Sequence, residues 1–338
     1  MATIKEIAKE ANVSPATVSK ALNKRHDVSA ETRRKIIEIA ESHNFVPSAS
    51  AKNLKMQRTE NIGVIFCRES QPLSGNPFYS RVLEGIEAEL AINNYNLVLH
   101  LLPNDYHGNL PKMVREKQVD GVILAGVMRE DFIGRLADMN LTIVLLDPKI
   151  YLENMSQVLI DNEHGAFQAT QHLINYGHNR IGFISGDLER RSFNLRYKGY
   201  KKALEYNNIP FDENLVKTGG LEKGYEHMKA LIELPDHPTA VFAANDINAI
   251  FGYKAISDSG FKIPEDISVI GFDDIELAKI SNPPLTTVRV YKEEMGSIAV
   301  RILLQTLRNE IDKPLTTLVP IRVVERNSVS IARKNKRN

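Results

Sequence analysis

Several side chains in this sequence stand directly after apolar runs, where a strand ends and a chemically useful group can face open space. Asp147 closes the run TIVLL, Asn245 and Asp246 close AVFAAND, Asp273 and Asp274 follow SVIG, and Arg196 stands within NLRYKGYKKAL. Carboxylates, an amide and a guanidinium together accept from and donate to the adjacent hydroxyls of a sugar. A different chemistry stands at the N-terminus. Lys20 carries an ammonium that can donate to guanine O6 and N7, Pro15 and Ala16 suit a thymine methyl, and Ser14, Thr17, Ser19 and Asn23 are short donors fit for phosphates. Further on, Leu54 sits beside Lys52, Asn53 and Lys55 with no local core to join. An apolar side chain flanked by cations is what a minor-groove wedge needs.

The elements that must hold the first set are strands and helices in alternation. Runs 62–66, 97–102, 121–124 and 142–146 read as buried strands, with a helix over 79–92; a second series places strands at 181–185, 240–243 and 268–271. Helices are expected near 165–176, 197–206 and 248–258, so Arg196 precedes a helix and Arg190 and Ser192 lie on the loop before it. Strand, helix, strand at this spacing argues for parallel sheets in two α/β lobes, whose default ligand site is the cleft at the carboxyl ends of the strands. Asp246 and Asp274 are expected to cap the helices that begin there, which leaves them out of the ligand set.

The N-terminal set needs a helix-turn-helix. Thr3 and Glu6 have capping-box form, and Ile4, Ile7, Ala8 and Ala11 share one face. Asn12 suits a turn. Ser14 caps a second helix with Pro15 at its first position, running to about Leu22; Val13, Val18 and Leu22 bury it. Ser29 starts a third helix, with Glu31 in its first turn and Ile36, Ile39 and Ala40 inward. The small residues Ala49, Ser50 and Ala51 then permit close approach of a short hinge helix to a partner or to a groove floor.

Composition agrees with this division. The chain has 338 residues, 43% hydrophobic and 25% charged, with a formal net charge of +1. Residues 1–60 hold eleven Lys or Arg against seven Asp or Glu, a balance of +4, and the remainder is at −3, so the nucleic-acid surface is expected at the N-terminus. Cys67 is the only cysteine, which excludes an intramolecular disulfide. His164, His172 and His178 are scattered around one helix and its end, and no metal is expected. No stretch approaches the roughly 18 uninterrupted apolar residues of a membrane span, and the charged N-terminus is unlike a secretion signal, so a cytoplasmic location without membrane contact is expected.

The three-helix segment, the stretch FVPSASAKNLKMQRTENIGVIF and the two-lobed remainder together resemble the lactose, galactose and purine repressor family of bacterial transcription factors, over nearly the whole chain. The resemblance implies an all-α headpiece over 1–46, a hinge helix and linker over 47–59, and a periplasmic-binding-protein-like core over 60–332. In that core the chain crosses near 282–287 to add a helix over 293–308 to the first lobe, and again near Ile321. The first lobe would cover about 60–159 and 288–319, the second about 160–287 and 320–332, with a basic tail at 333–338. It implies operator DNA as partner, contacted by Ser14, Pro15, Ala16, Thr17, Ser19, Lys20 and Asn23, with Ala51, Lys52, Leu54 and Lys55 at the hinge. Leu54 matches the leucine that enters the central base step. Lys52 stands where relatives carry arginine, which keeps charge and loses bidentate bonding.

Matched residue by residue, Asp147, Arg196, Asn245 and Asp273 become the effector candidates, with Phe78 and Tyr79 as an aromatic wall and Arg190 and Ser192 within reach. The purine-binding relative has tryptophan after the aspartate matching Asp147; this chain has Pro148 and no Trp, which favours a sugar or sugar phosphate. No C-terminal leucine-heptad helix follows, so a homodimer is expected. No cofactor is implied. The alternatives are a family member governed by a phosphorylated carrier protein and, from another class, a sugar-modifying enzyme. The enzyme lacks any phosphate-cradling loop, nucleophile elbow or paired acid and base in the sequence.

Overall fold

The computed structural model of the chain describes residues 2–22, 25, 27–43, 45, 58–67, 73–103, 106–220 and 223–332. Chain contacts divide it into two compact units, Met1–Glu60 and Asn61–Asn338. In the first, α1 (Ile4–Ala11), α2 (Pro15–Leu22) and α3 (Ala30–Ser42) enclose a small core of Ile7, Ala8, Ala11, Val18, Ala21, Val28, Ile36 and Ala40. Local chemistry sets their ends. The Thr3–Glu6 capping box forms in full, Asn12 takes a left-handed conformation at φ 58°, and the Ser14 and Ser29 hydroxyls accept from the backbone N–H of Thr17 and Thr32. Val13 and Leu22 are only partly buried, and Ala21, which no local signal marks as inward, fills the centre of the interface.

The second unit begins with β1 (Asn61–Cys67), α4 (Tyr79–Ile92), β2 (Asn96–Leu102), α5 (Lys112–Arg115), β3 (Gly121–Ala125), α6 (Glu130–Ala137), β4 (Thr142–Leu146) and β5 (Ser156–Ile160). The second lobe continues with α7 (Asn162–Asn175), β6 (Ile181–Ser185), α8 (Arg191–Tyr206), β7 (Val216–Thr218), α9 (Gly224–Ile232), β8 (Ala240–Ala243), α10 (Asp246–Asp258), β9 (Ser268–Asp273), α11 (Glu276–Ile280) and β10 (Thr286–Val290). Then α12 (Lys292–Leu307) and β11 (Thr316–Val319) return to the first lobe, and β12 (Ile321–Val324) ends in the second. The sheet orders are β11-β5-β4-β3-β1-β2 and β12-β10-β9-β8-β6-β7. Every residue of β3, β5, β6 and β8 is buried, because helices cover both faces and leave no polar side to alternate with.

Three expectations need correction. The crossing to the first lobe does not occur at 282–287: Thr286–Val290 pairs with β9 along Thr286–Arg289, and the chain leaves the second sheet only at Tyr291. Burial supplies the reason, since Thr286 and Thr287 are fully enclosed and their hydroxyls bond Arg326 N and the Asp246 carboxyl. The sheets are not wholly parallel, as β12 runs antiparallel to β10. The helix expected from 197 begins at Arg191, so Ser192 and Arg196 lie on helix and Arg190 is its N-cap residue, without any side-chain capping bond to advertise it.

Where α4 meets α12 the backbones nearly touch. A Cβ on Gly85 would lie 1.9 Å from the Glu293 carbonyl oxygen, and one on Gly296 would lie 2.2 Å from that of Val82. The helix that returns to the first lobe is thereby keyed to the helix that carries Phe78 and Tyr79 at its start. No helix among the described residues is long and apolar enough to cross a membrane.

Candidate ligand cavity and nucleic-acid interface

In the headpiece, Ser14, Pro15, Ala16 and Lys20 are exposed on one side of α2, while Thr17 and Ser19 are half-buried. The Ser14 hydroxyl is already engaged with the N–H of Thr17 and the Thr17 hydroxyl, so it caps the helix. Lys20 Nζ lies 2.6 Å from Asp27 Oδ2, a contact that no sequence signal announces. Both side chains are about half exposed, and solvent screens such a pair so that it is weak. Asp27 therefore orients the ammonium without locking it away. Asn23, Ala51, Lys52, Leu54 and Lys55 lie outside the described residues.

A base-substitution scan of an enriched operator tests the Lys20 assignment. Lys20→Ala is expected to lower affinity by about 1–3 kcal/mol at one base pair of each half-site, and Asp27→Asn to raise affinity slightly at all sequences. An unchanged preference profile in Lys20→Ala would make Lys20 a phosphate ligand.

In the core, all eight effector candidates line one cleft of about 790 Å³, its open mouth included: Phe78, Tyr79, Asp147, Arg190, Ser192, Arg196, Asn245 and Asp273. Asn76, Pro77, Ile160, Phe193, Ile247 and Ile275 complete the wall, and sequence reasoning missed them. Of these, Asn76 had a legible signal as the Asn of NPFY. Its Oδ1 accepts from the N–H groups of Phe78 and Tyr79 at 3.1 and 3.0 Å, which fixes the aromatic wall at the start of α4. The Phe78 and Tyr79 rings meet edge to face at 5.1 Å, and Phe66 supports Tyr79 from beneath at 4.9 Å. Burial, then the nearby Asp147 and Asp273 carboxylates, hold the Tyr79 phenol far above its usual range, so it stays protonated and remains a donor.

Arg196 is the hub of the opposite wall, with a side chain only 5% exposed. Its Nε donates to Asn162 Oδ1 at 2.7 Å, its Nη1 to the Ala244 carbonyl at 2.5 Å, and its plane lies 3.7 Å over the Phe272 ring. Nη2 stands 3.1 Å from Asp273 Oδ1, an ion pair out of hydrogen-bond alignment, so that this buried oxygen keeps unused acceptor capacity. Burial raises the carboxyls of Asp147 and Asp273 while Arg196 opposes the rise in both. Arg190, lowered to about 10 by burial, stays charged at neutral pH. Asp147 and Asp273 take φ of 43° and 108°, unusual for residues with a Cβ and characteristic of backbone strained at sites. Asn245 both lines the cavity and caps α10, accepting from Asn248 N–H at 2.8 Å.

Asp246 and Asp274 do not cap helices, contrary to expectation. Asp274 pairs with Arg289 and Arg326 at 2.6 Å each, and those cations hold its carboxyl below the usual range against the opposing effect of burial. Asp246 is fully buried; its carboxyl accepts from Ile275 N–H at 2.9 Å and from the Thr287 hydroxyl at 2.5 Å. Burial, and then Asp273, push it up to about 8.

A carboxyl raised in the folded state binds its proton there more tightly than in the unfolded chain. Its stabilising contribution is complete below the unfolded value near 3.8 and is lost as pH rises toward about 8. Between pH 5.5 and 7.5 the parent is therefore expected to lose about 2–3 kcal/mol relative to Asp246→Asn, in which the same shape carries no proton to lose. Urea unfolding of both proteins at the two pH values measures the difference; parallel curves would place the ionised carboxylate in the native state.

No group of three or more His, Cys, Asp or Glu among the described residues is arranged to hold a metal ion. Comparison with known proteins adds the following. Residues 3–48 match the family described as bacterial regulatory proteins, lacI family, and residues 170–329 match a periplasmic binding protein-like domain. The ribose operon repressor of Haemophilus influenzae is 35% identical over 335 residues, covering 97% of this chain and 99% of the relative. An HTH-type transcriptional repressor PurR of Mannheimia succiniciproducens is 33% identical over 335 residues, at 97% and 99% coverage. Among solved structures, the Lac repressor dimer bound to operator and the anti-inducer ONPF aligns with a TM-score of 0.84 at 25% identity, over 97% of this chain and 99% of that one. A LacI family transcriptional regulator from Enterococcus faecium with bound ribose aligns with a TM-score of 0.72 at 28% identity, over 81% of this chain and all of the other.

Proposed function

The chain belongs to the lacI family of bacterial regulatory proteins, and from that premise we propose that it is a homodimeric, sequence-specific repressor whose operator affinity is set by a sugar or sugar phosphate held between the core lobes. The observation that carries this reading is the convergence of Asp147, Arg196, Asn245 and Asp273 with Phe78 and Tyr79 on one cleft. Carboxylates and an amide for hydroxyls, guanidinium groups for oxygens and an aromatic wall for an apolar sugar face form one recognition set. Solved relatives, one with bound ribose and another with operator, support the class of both partners.

A switch follows from where the side chains originate. Phe78, Tyr79 and Asp147 belong to the first lobe, and Arg196, Asn245 and Asp273 to the second. A ligand touching both stabilises one relative setting of the lobes, and only such a difference in affinity shifts the equilibrium.

The test is a selection of operator from random duplex, followed by thermal-shift screening of sugars and sugar phosphates. A near-palindromic site is expected, and a sugar at a hundred times its dissociation constant should add about 2.7 kcal/mol of stability and change operator affinity. Equal affinity for the selected palindrome and random duplex, or no stabilising sugar, would count against the reading.

A further inference from the structure

A buried ammonium stands behind the cavity residue Asp273, at the crossing between lobes and near the aromatic wall. Lys292 opens α12 and is 5% exposed. Its Nζ donates to the carbonyl of Asp273, to that of Asp274 at 3.2 Å and to that of Val290 at 3.3 Å, and lies 6.0 Å from the centre of the Phe78 ring. An ammonium has three N–H groups and no acceptor, so three carbonyls satisfy it completely. Burial works against its charge, and the carboxyls of Asp273, Asp246 and Asp274 work for it.

Two of the three carbonyls it holds belong to consecutive residues in left-handed backbone, Asp273 at φ 108° and Asp274 at φ 53°. Such a pair persists only when its surroundings over-determine it. Neighbouring clamps act on other atoms: Arg289 and Arg326 grip the Asp274 carboxylate, and Asp246 grips the Ile275 N–H. Lys292 is the side chain bonded to the carbonyl of Asp273 itself. It also belongs to the helix keyed to α4 through Gly85 and Gly296.

We propose that Lys292 is a positioning residue for ligand recognition: by holding the Asp273 carbonyl it sets the direction of the Asp273 carboxylate toward Arg196 and the cavity, and it joins that setting to the helix that returns to the first lobe. The proposal rests on the cavity being the effector site. Its structural half stands without any ligand, and the experiment keeps the two apart.

Amide hydrogen exchange of the intact chain decides it, on the parent, Lys292→Met and Lys292→Gln. In Lys292→Met the amides of residues 273–276 should exchange at least tenfold faster, with β6 and β8 at the parent rate; Lys292→Gln, which keeps one amide donor group, should fall between. Parent-like exchange at 273–276, or acceleration spread evenly through the second sheet, overturns the proposal. If Lys292→Met does not fold, the glutamine variant carries the same comparison. With D-ribose as the probe, a melting shift in the parent should be lost in Lys292→Met. A parent that ignores D-ribose counts against the sugar reading, while the exchange rates still decide the role of Lys292.

Discussion

Arg196→Ala should lower the unfolding free energy of the core by about 3–5 kcal/mol and abolish the response to an effector, because it removes one partner of a buried ion pair and strands the other. The substitution leaves the Asn162 amide oxygen and the Ala244 carbonyl without their donors and uncovers the Phe272 ring. It also leaves Asp273 as a carboxylate whose pKa burial raises, without the guanidinium that opposes the rise. Urea unfolding of parent and variant reads the loss. The double replacement Arg196→Met with Asp273→Leu separates stability from recognition, since a buried pair exchanged for apolar groups of similar size is often neutral or stabilising. Only part of the lost stability should return in the double variant, because the Asn162 amide oxygen and the Ala244 carbonyl still lack their donors, while the sugar response does not return. A loss below about 1 kcal/mol in Arg196→Ala would mean the ion pair is already broken or hydrated in solution.

Operator affinity should fall by about three to five orders of magnitude between 50 and 200 mM salt. The magnitude follows from counterion release, at a slope of about −0.9 per phosphate neutralised, for a dimer that contacts about six to ten phosphates. Exposed cations of the headpiece available for such contacts are Lys5, Lys9, Arg25, Arg34 and Lys35, beside the base reader Lys20. Residues 1–60 carry the +4 balance, against −3 for the rest. Anisotropy titrations of the selected operator across this salt range give the slope directly. A slope shallower than about −3 would contradict a dimer gripping two half-sites and would point to a single headpiece on the duplex.

How much of the site was legible depended on how far apart its partners lie in sequence. The headpiece signals act over three residues, Thr3 with Glu6, Ser14 with Thr17 and Ser29 with Thr32, and each formed as read. The effector candidates were legible because they end apolar runs or match family motifs, and all eight face one cleft. The start of α8 was not, since Arg190 makes no capping bond and RRSFNLR has no apolar stripe to mark a helix. Nor was β10, whose TTVRV carries two threonines that look solvated until the fold encloses them.

The sequence by itself determined the three helices of the headpiece, the alternation of buried strands with helices, and the identity of the polar groups available to a ligand. It did so because caps and apolar periodicity are local, and local order is written within one turn or one strand. Only the tertiary structure decided what the buried charges do. Asp246 meets Thr287 across 41 residues, Arg196 meets Asn162 across 34, and Lys292 meets Asp273 across 19. A carboxyl read as a helix cap thereby became a desolvated acid, and a lysine with no motif became a buried donor to the Asp273 carbonyl. A charged group's role is set by the dielectric and the partners around it, and the sequence does not record either until the chain has brought distant segments together.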